Sequence, residues 1–578
     1  MSTGADALLA AMAEFHVGVL FHLPGVETLP VTLRAVPSGP VRAVMVAHEQ
    51  AAAFGAFGYA RISGRPGVCL TVPGPGATNL VTGIAAARAD QVPVVAVMTE
   101  LPRHLVGTAA AHDCDLEALF ASIVKAQIRV ESTGEIGTAM RAALALSLEA
   151  PRGPVQLLVT GALLGATQSP PPSPPPSWGR ASQGSLSLDG RGRTAGPGEG
   201  DFTASPPEAI PVGQLETLAT QLKAARRPVL YVGQGVIYAG AVDLLQRLAE
   251  RLGAGVVTDE SARGILDERH PLSIGTASHR AVPDVLANSG FCLAIGARFS
   301  QWSTMDWSLP FVQPLVRIDA WNAPDSPKYS VSSRIVGPID QCLAILLDLL
   351  GIGPACGWTA VAIATAKAQS RQILDMQLAE TTKPDAHPIA VLRAIRNALP
   401  DDAVVTVDGS STGTWAAEEV FPVHRALGFL TPEVLKELGS AIMVGIGAKL
   451  AAPDRAEIAI QGDGGFMFQA GELSTLMRES IALCIVVFVD GYYNADRLLL
   501  EHMFDAGPAG CALHKPDFVA LAASFGMAAC NADTPAKITE AVRSALATRH
   551  PTLIAVPIDS APAPYRLQIV FDALKRRP

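Results

Sequence analysis

The sequence predicts an α/β chain of three domains, each a parallel sheet flanked by helices. Three observations carry this. Short, wholly apolar runs of strand length recur along the chain, separated by Ala- or Leu-rich stretches of helical length. Many of these runs end in turns containing Gly or Pro, and wholly apolar strands belong to sheets covered on both faces. With 578 residues, 49% of them hydrophobic, the chain exceeds one ordinary core and suits two to four units.

Residues 1–165 form the first unit. VRAVMVAHE leads into the helical AAAFGAFGYAR, PGVCLTV leads through the turn PGPGATN into LVTGIAAA, and QVPVVAVMT is a further buried strand. Residues 166–210 change composition to SPPPSPPPSWGR and a Gly/Ser-rich continuation, which buries little and reads as a linker. Residues 211–355 hold a second α/β unit with strands in RRPVLYVGQGV, GAGVVTDE, GFCLAIGARF and LVRIDAW. Residues 375–565 form the third. Its strands are DAVVTVDGS, AEIAIQGDGG, ALCIVVFVD and PTLIAVPID, interleaved with helices over 433–451 and 470–479.

Bulk properties narrow the function. A formal charge of −9 does not suggest a nucleic-acid-binding surface. The apolar run 481–489 is too short to cross a bilayer, and no basic stretch leads into a signal-like segment, so no membrane partner and a cytoplasmic location are expected. Eight Cys without a CxxC pair read as free thiols rather than a disulfide or zinc framework. Gly233-Gln234-Gly235 is only a fragment of a dinucleotide fingerprint, so NAD is not expected.

The densest local constellation is Gly462-Asp463-Gly464-Gly465, followed 27 positions after Asp463 by Asp490. Each Asp closes an apolar strand, and ligands of open α/β sheets gather at such carboxyl ends. Two carboxylates there suit a hard divalent ion, while glycines let backbone amides approach an anion. Taken alone, Gly-Asp-Gly is also a frequent structural turn. Ser410, Ser411 and Thr412 after VVTVD suit either an anion or a helix cap.

These motifs, in this order along the chain, resemble the thiamine-diphosphate enzymes of the acetolactate synthase, pyruvate oxidase and benzoylformate decarboxylase group. AHEQAAAFGAFGYAR, TVPGPGATNLVTGIAAA, RRPVLYVGQGV, Gly296-Ala297-Arg298-Phe299, VRIDAW, VDGSSTGTWAAE and the GDGG segment all match landmarks of that family. The resemblance implies a pyrimidine-binding domain, a central domain and a diphosphate-binding domain. It implies thiamine diphosphate and Mg2+ as cofactors and a homodimer at least, with tetramers common. It places Glu49 as the cofactor-activating glutamate; the sequence adds that burial on an apolar helix would raise its pKa. It makes Asp463, Asp490 and the Tyr492 carbonyl the metal ligands, with Asp490 standing where relatives usually carry Asn. Ser410, Ser411, Thr412, Gly462, Gly464 and Gly465 would contact the diphosphate. Leu438 would prop the bent cofactor beside Gly439. Pro24, Pro73, Asn79, Tyr493 and Asn494 complete the cofactor-contact candidates.

The substrate-facing positions depart from the family's patterns. His22 stands where many relatives have Gly, and Val26 where benzoylformate decarboxylases have Ser. The acetolactate synthase signature Gly-Thr-Asp-Ala-Phe-Gln-Glu becomes Gly107-Thr108-Ala109-Ala110-Ala111-His112-Asp113. His22 and His112 are the candidates for orienting or protonating substrate, since His titrates near neutrality. Asp113 would orient His112 or face solvent. PLSIGTASHRAVPD lacks the Gly-Met-His-Gly pattern of flavin-bearing relatives, so FAD is not favoured, although the GARF segment is retained.

The expected function is that of a carboligase: decarboxylation of a 2-oxo acid and transfer of the resulting carbanion to a carbonyl acceptor. The alternatives are a non-oxidative 2-oxo acid decarboxylase, a lyase or hydrolase acting on a diketone or hydroxyketone, and a non-catalytic cofactor-binding homologue.

Overall fold

The computed structural model describes residues 2–36, 39–167, 210–324, 326, 328–351, 357–559 and 563–576. The expected linker therefore lies almost wholly outside the described residues. The fold is the expected class: the described residues form three six-stranded sheets, each flanked by helices.

The first sheet comprises β1 (Val19–His22), β2 (Arg42–Met45), β3 (Gly67–Thr71), β4 (Val94–Glu100), β5 (Ala126–Arg129) and β6 (Val155–Thr160), in the order β2-β1-β3-β4-β6-β5. The second comprises β7 (Pro228–Val232), β8 (Gly255–Thr258), β9 (Ser273–Thr276), β10 (Phe291–Ile295), β11 (Leu315–Asp319) and β12 (Ser333–Val336), in the order β12-β11-β10-β7-β8-β9. The third comprises β13 (Val404–Val407), β14 (Phe429–Leu430), β15 (Glu457–Gly462), β16 (Cys484–Val489), β17 (Ala528–Asn531) and β18 (Thr552–Pro557), in the order β14-β13-β15-β16-β18-β17. All strand pairs in the three sheets are parallel.

Renumbered from its own first strand, the third sheet repeats the order of the first. In each, the chain leaves its first strand for one edge and returns on the other side, so strand order reverses beside that strand. The resulting crevices open between the carboxyl ends of β1 and β3, and of β13 and β15, where open α/β sheets receive ligands. The second sheet has the doubly wound order, with its reversal between β7 and β10.

The first sheet belongs to one compact unit and the second and third sheets to another. Within the second unit, the helix Val242–Leu252 shows how local pattern makes a covering element. Leu245, Leu248, Ala249 and Leu252 recur at helical spacing and are buried, while Gly253 ends the helix with a left-handed φ of +56°. Two β8-proximal side chains tie the second sheet's loops to the third sheet. Arg263 is buried, pairs with Glu268 at 3.0 Å and donates to the Ala416 carbonyl at 2.9 Å. Glu260 pairs with Lys436 at 2.9 Å and Arg566 at 2.7 Å.

One helix differs from expectation. It runs over Ser440–Ala451 rather than from 433, because Gly439 adopts φ +79° and gives its N–H to the Asp408 carboxylate. Among the described residues no helix is long and apolar enough to cross a membrane.

Candidate active site

The third sheet concentrates its chemistry at the carboxyl ends of β13, β15 and β16. After β13, Asp408 accepts the Ser410 hydroxyl at 2.5 Å and the Ser410 N–H at 3.2 Å on one oxygen. Its other oxygen accepts the Gly439 N–H at 2.9 Å. Ser410 in turn caps the helix Ser411–Ala417, its hydroxyl accepting from Gly413 at 3.1 Å. Burial raises the Asp408 pKa, and the Ser410 and Gly439 donors work against that rise.

β15 stops at Gly462 and a short helix begins directly at Asp463. The two Asp463 oxygens accept backbone N–H groups from Gly464 at 2.9 Å and Gly491 at 2.8 Å, which fixes the carboxylate across the gap between β15 and β16. Asp490 closes β16 and accepts the Tyr492 N–H at 3.0 Å. Burial and then the neighbouring Asp463 push the Asp490 carboxyl up to about 6, and burial raises Asp463 as well. Two buried carboxylates at adjacent strand ends are a donor set that could hold a divalent cation.

Ser410, Ser411, Thr412, Leu438, Gly462, Gly464, Gly465, Asp490, Tyr492, Tyr493 and Asn494 line one small cleft, with Gly439 against Gly465. Gly464 and Gly465 are sterically required, whereas Gly462 is not. A Cβ on Gly465 would lie 2.2 Å from an Asp408 oxygen, and one on Gly464 would lie 2.7 Å from the Tyr493 ring. This cradle fits a diphosphate, whose oxygens could approach bare backbone. It also fits a divalent ion shared with that diphosphate. Among the described residues no cluster of three or more His, Cys, Asp or Glu side chains is poised for a metal. An ion here would therefore combine two carboxylates with a backbone carbonyl and oxygens of its own ligand.

In the first unit, Glu49 opens the helix Glu49–Ser63 and is 7% exposed. Its Oε2 accepts the Asn79 side-chain N–H at 2.9 Å, and Gly76 lies close to Oε1, with a Cβ there only 3.4 Å away. His22 is the last residue of β1, is buried, and has Nδ1 3.5 Å from the Thr32 hydroxyl; Pro24 follows it. Pro73 follows β3 across the same crevice. The next residue, Gly74, has φ +63° and packs so tightly on His112 that a Cβ would lie 2.8 Å from the His112 Cα. His112 itself is exposed with φ +70°. Asp113 is exposed, as the solvent-facing alternative expects, and closes its own loop by accepting the Gly107 N–H at 2.7 Å.

Asp408 is not among the candidates read from sequence, although an Asp two residues before a candidate helix cap is a signal for it.

Comparison with known proteins bears on all three sheets. Residues 2–119 match the thiamine pyrophosphate enzyme N-terminal TPP binding domain, 215–346 the central domain, and 408–556 the C-terminal TPP binding domain of the same enzymes. A probable 2-ketoarginine decarboxylase of Pseudomonas aeruginosa is 32% identical over 540 residues, covering 91% of this chain and 89% of its own. A probable acetolactate synthase large subunit of Methanococcus aeolicus is 29% identical, covering 100% and 96%. The acetolactate synthase isozyme 1 large subunit of Escherichia coli is 26% identical, covering 96% and 94%.

Proposed function

The chain belongs to the thiamine-diphosphate-dependent enzymes of the acetolactate synthase and decarboxylase family, and from that premise we propose that it is a magnesium-dependent carboligase acting on a 2-oxo acid. The observation that carries the reading is a buried Glu49 fixed by Asn79, in a chain that also keeps two strand-end carboxylates beside a glycine cradle. End-to-end similarity to acetolactate synthases supports transfer to a carbonyl acceptor rather than to a proton.

Bound thiamine diphosphate supplies the electron sink for decarboxylating a 2-oxo acid and passing its acyl carbon to a second carbonyl. The chain's residues supply placement and proton handling. Asp463, Asp490 and the Tyr492 carbonyl hold Mg2+. Ser410, Ser411, Thr412, Gly462, Gly464 and Gly465 receive the diphosphate, with Tyr493 and Asn494 closing the cleft. Leu438 and Gly439 shape its wall. Glu49 would be the residue that faces the aminopyrimidine for proton exchange, and Asn79 keeps its carboxyl aimed. Pro24 and Pro73, at strand ends beside the first crevice, frame the pyrimidine. His22 and His112 orient the substrate carboxylate or protonate product. The working assembly is a homodimer at least, and the location cytoplasmic.

A second reading, simple decarboxylation of a bulkier 2-oxo acid, is favoured by the 32% identity with the Pseudomonas aeruginosa protein. Product analysis separates the two. The purified protein, with Mg2+ and thiamine diphosphate, is offered pyruvate, benzoylformate or 2-ketoarginine, each with and without an aldehyde or 2-oxo acid acceptor. Carbon dioxide with a hydroxyketone or acetohydroxy acid supports the carboligase. Carbon dioxide with free aldehyde alone, whatever the acceptor, moves the assignment to the decarboxylase. No turnover of any acid overturns both and directs attention to diketones and hydroxyketones.

A further inference from the structure

A cavity of about 850 Å3, within the size range of small-molecule sites, opens between elements of the second and third sheets, and no thiamine-diphosphate candidate lines it. It flanks β9, an edge strand of the second sheet, rather than the reversal between β7 and β10. One wall is the helix Ala360–Glu380, whose Ala360, Ile363, Ala364, Lys367 and Arg371 recur at helical spacing along one face. Leu399 and Pro422 add apolar surface from the third-sheet side. Most charges in the wall are already paired. Arg269 meets Asp267 at 2.6 Å and Asp401 at 2.8 Å, and Arg396 faces Asp401 at 3.6 Å. Glu268 is held by Arg263 at 3.0 Å, and Glu419 by Arg280 and by the Ser370 hydroxyl at 2.9 Å. Lys367 and Arg371 differ. The Lys367 ammonium donates to the Glu268 and Ser273 backbone carbonyls at 2.7 and 3.1 Å and forms no ion pair among the described residues. Arg371, one turn further on, has neither an ion pair nor a hydrogen bond among them. His279 supplies a third donor. It is only 5% exposed, and its Nδ1 accepts the Ala281 N–H at 3.1 Å, which leaves the proton on Nε2 without an acceptor among the described residues.

We propose that this cavity binds a small organic anion with an apolar body, its oxygens held by Lys367, Arg371 and the His279 N–H and its body lying on Ile363, Leu399 and Pro422. The wall offers donors that lack acceptors, two of them cationic, and an anion is the ligand that satisfies all three. Two like charges at i and i+4 on one helix face also repel each other. Burial already disfavours the charged form of Lys367, and the neighbouring Arg371 acts on it in the same sense. A bound anion offsets both effects. A carboxylate and a phosphate monoester share this chemistry, since each presents coplanar oxygens to a guanidinium and a point charge to an ammonium. The site stands whichever reaction the thiamine cleft performs.

The test is calorimetric titration of the full-length protein with hexanoate, hexyl phosphate, inorganic phosphate and hexan-1-ol, with and without Mg2+ and thiamine diphosphate. Thermal melting checks the folding of each variant. At least one hexyl anion should bind a single site per chain with Kd below about 1 mM, and the tighter of the two tells a carboxylate from a phosphate monoester as the preferred head group. Inorganic phosphate and hexan-1-ol, each lacking half of the ligand, should bind at least about tenfold more weakly. Arg371 is exposed, so its replacement leaves no buried hole. Arg371→Glu should weaken binding of the hexyl anion by at least about tenfold, Arg371→Lys by less than about threefold, and Lys367→Met by about fivefold or more. No saturable binding of either hexyl anion, or binding that Arg371→Glu leaves unchanged, overturns the site. Binding abolished by thiamine diphosphate belongs to the cofactor cleft and overturns it too, and inorganic phosphate binding as tightly as hexyl phosphate removes the apolar body from the assignment.

Discussion

Gly465 shows how little freedom single residues have in this cleft. A methyl group there would sit 2.2 Å from the Asp408 oxygen that holds the Gly439 N–H, so the substitution displaces the carboxylate that organises both walls. Gly465→Ala should weaken thiamine diphosphate binding by at least about tenfold and lower stability by about 1–3 kcal/mol through overpacking, measurable by calorimetry and thermal melting. Unchanged binding would show that Asp408 does not position the cleft. At this scale much of the site was legible. Asp463, Asp490 and the flanking glycines stand out because each Asp ends an apolar strand, and Glu49 because a carboxylate opens an Ala-rich helix. Asp408 was not legible, because its role depends on the Ser410 and Gly439 N–H groups, which no local pattern encodes. The environments of His22 and His112 were hidden for the same reason: one is buried at a strand end, the other exposed on a loop pressed against Gly74.

Elements are held in register by a few buried charges. Arg263 donates to the Ala416 carbonyl beside the Ser411–Ala417 helix that Ser410 caps, pairs with Glu268, and lies 4.6 Å from the Phe429 ring centre on β14. Arg263→Met would leave the Glu268 carboxylate buried without its ion-pair partner, keeping only the Val423 N–H. It should cost about 3–5 kcal/mol, read as a fall in denaturation midpoint, and should also weaken cofactor binding by loosening that helix. A loss below about 1 kcal/mol would contradict this role. Central strands such as β15 and β16 were readable because both faces are covered and the runs are wholly apolar. Edge strands such as β12 and β17, half-exposed with Ser, Arg or Asn in them, carry no such run. The start of the Ser440–Ala451 helix was misplaced because the segment before it has helical composition. The left-handed Gly439 is fixed by Asp408, far away in sequence.

At the scale of the whole molecule, two sheets of identical strand order each open a crevice at the reversal beside their first strand. One holds the diphosphate candidates, and the other is flanked by His22, Pro24 and Pro73. The class was legible from the recurrence of strand and helix lengths; the repeated order was not, because strand neighbours are set by tertiary contacts. Charge also links the second and third sheets. Burial alone would raise the Glu260 carboxyl, but Lys436 and Arg566 outweigh it and hold it at about 2. A depressed carboxyl stabilises the fold fully above its unfolded value of about 4.3 and loses that contribution as pH falls toward 2. The amount at stake is on the order of 3 kcal/mol. Glu260→Gln should therefore be less stable at pH 7 and show a shallower loss between about pH 5 and 2; an unchanged slope would remove Glu260 from the acid response. The role proposed for Glu49 is activation of bound thiamine diphosphate. Its most direct test is hydrogen–deuterium exchange at the cofactor's C2, followed by quenched-flow NMR in the unaltered protein and in Glu49→Gln. Fast exchange is expected in the first and exchange slower by at least about 100-fold in the second, with cofactor still bound. Equal exchange rates in the two proteins would contradict it.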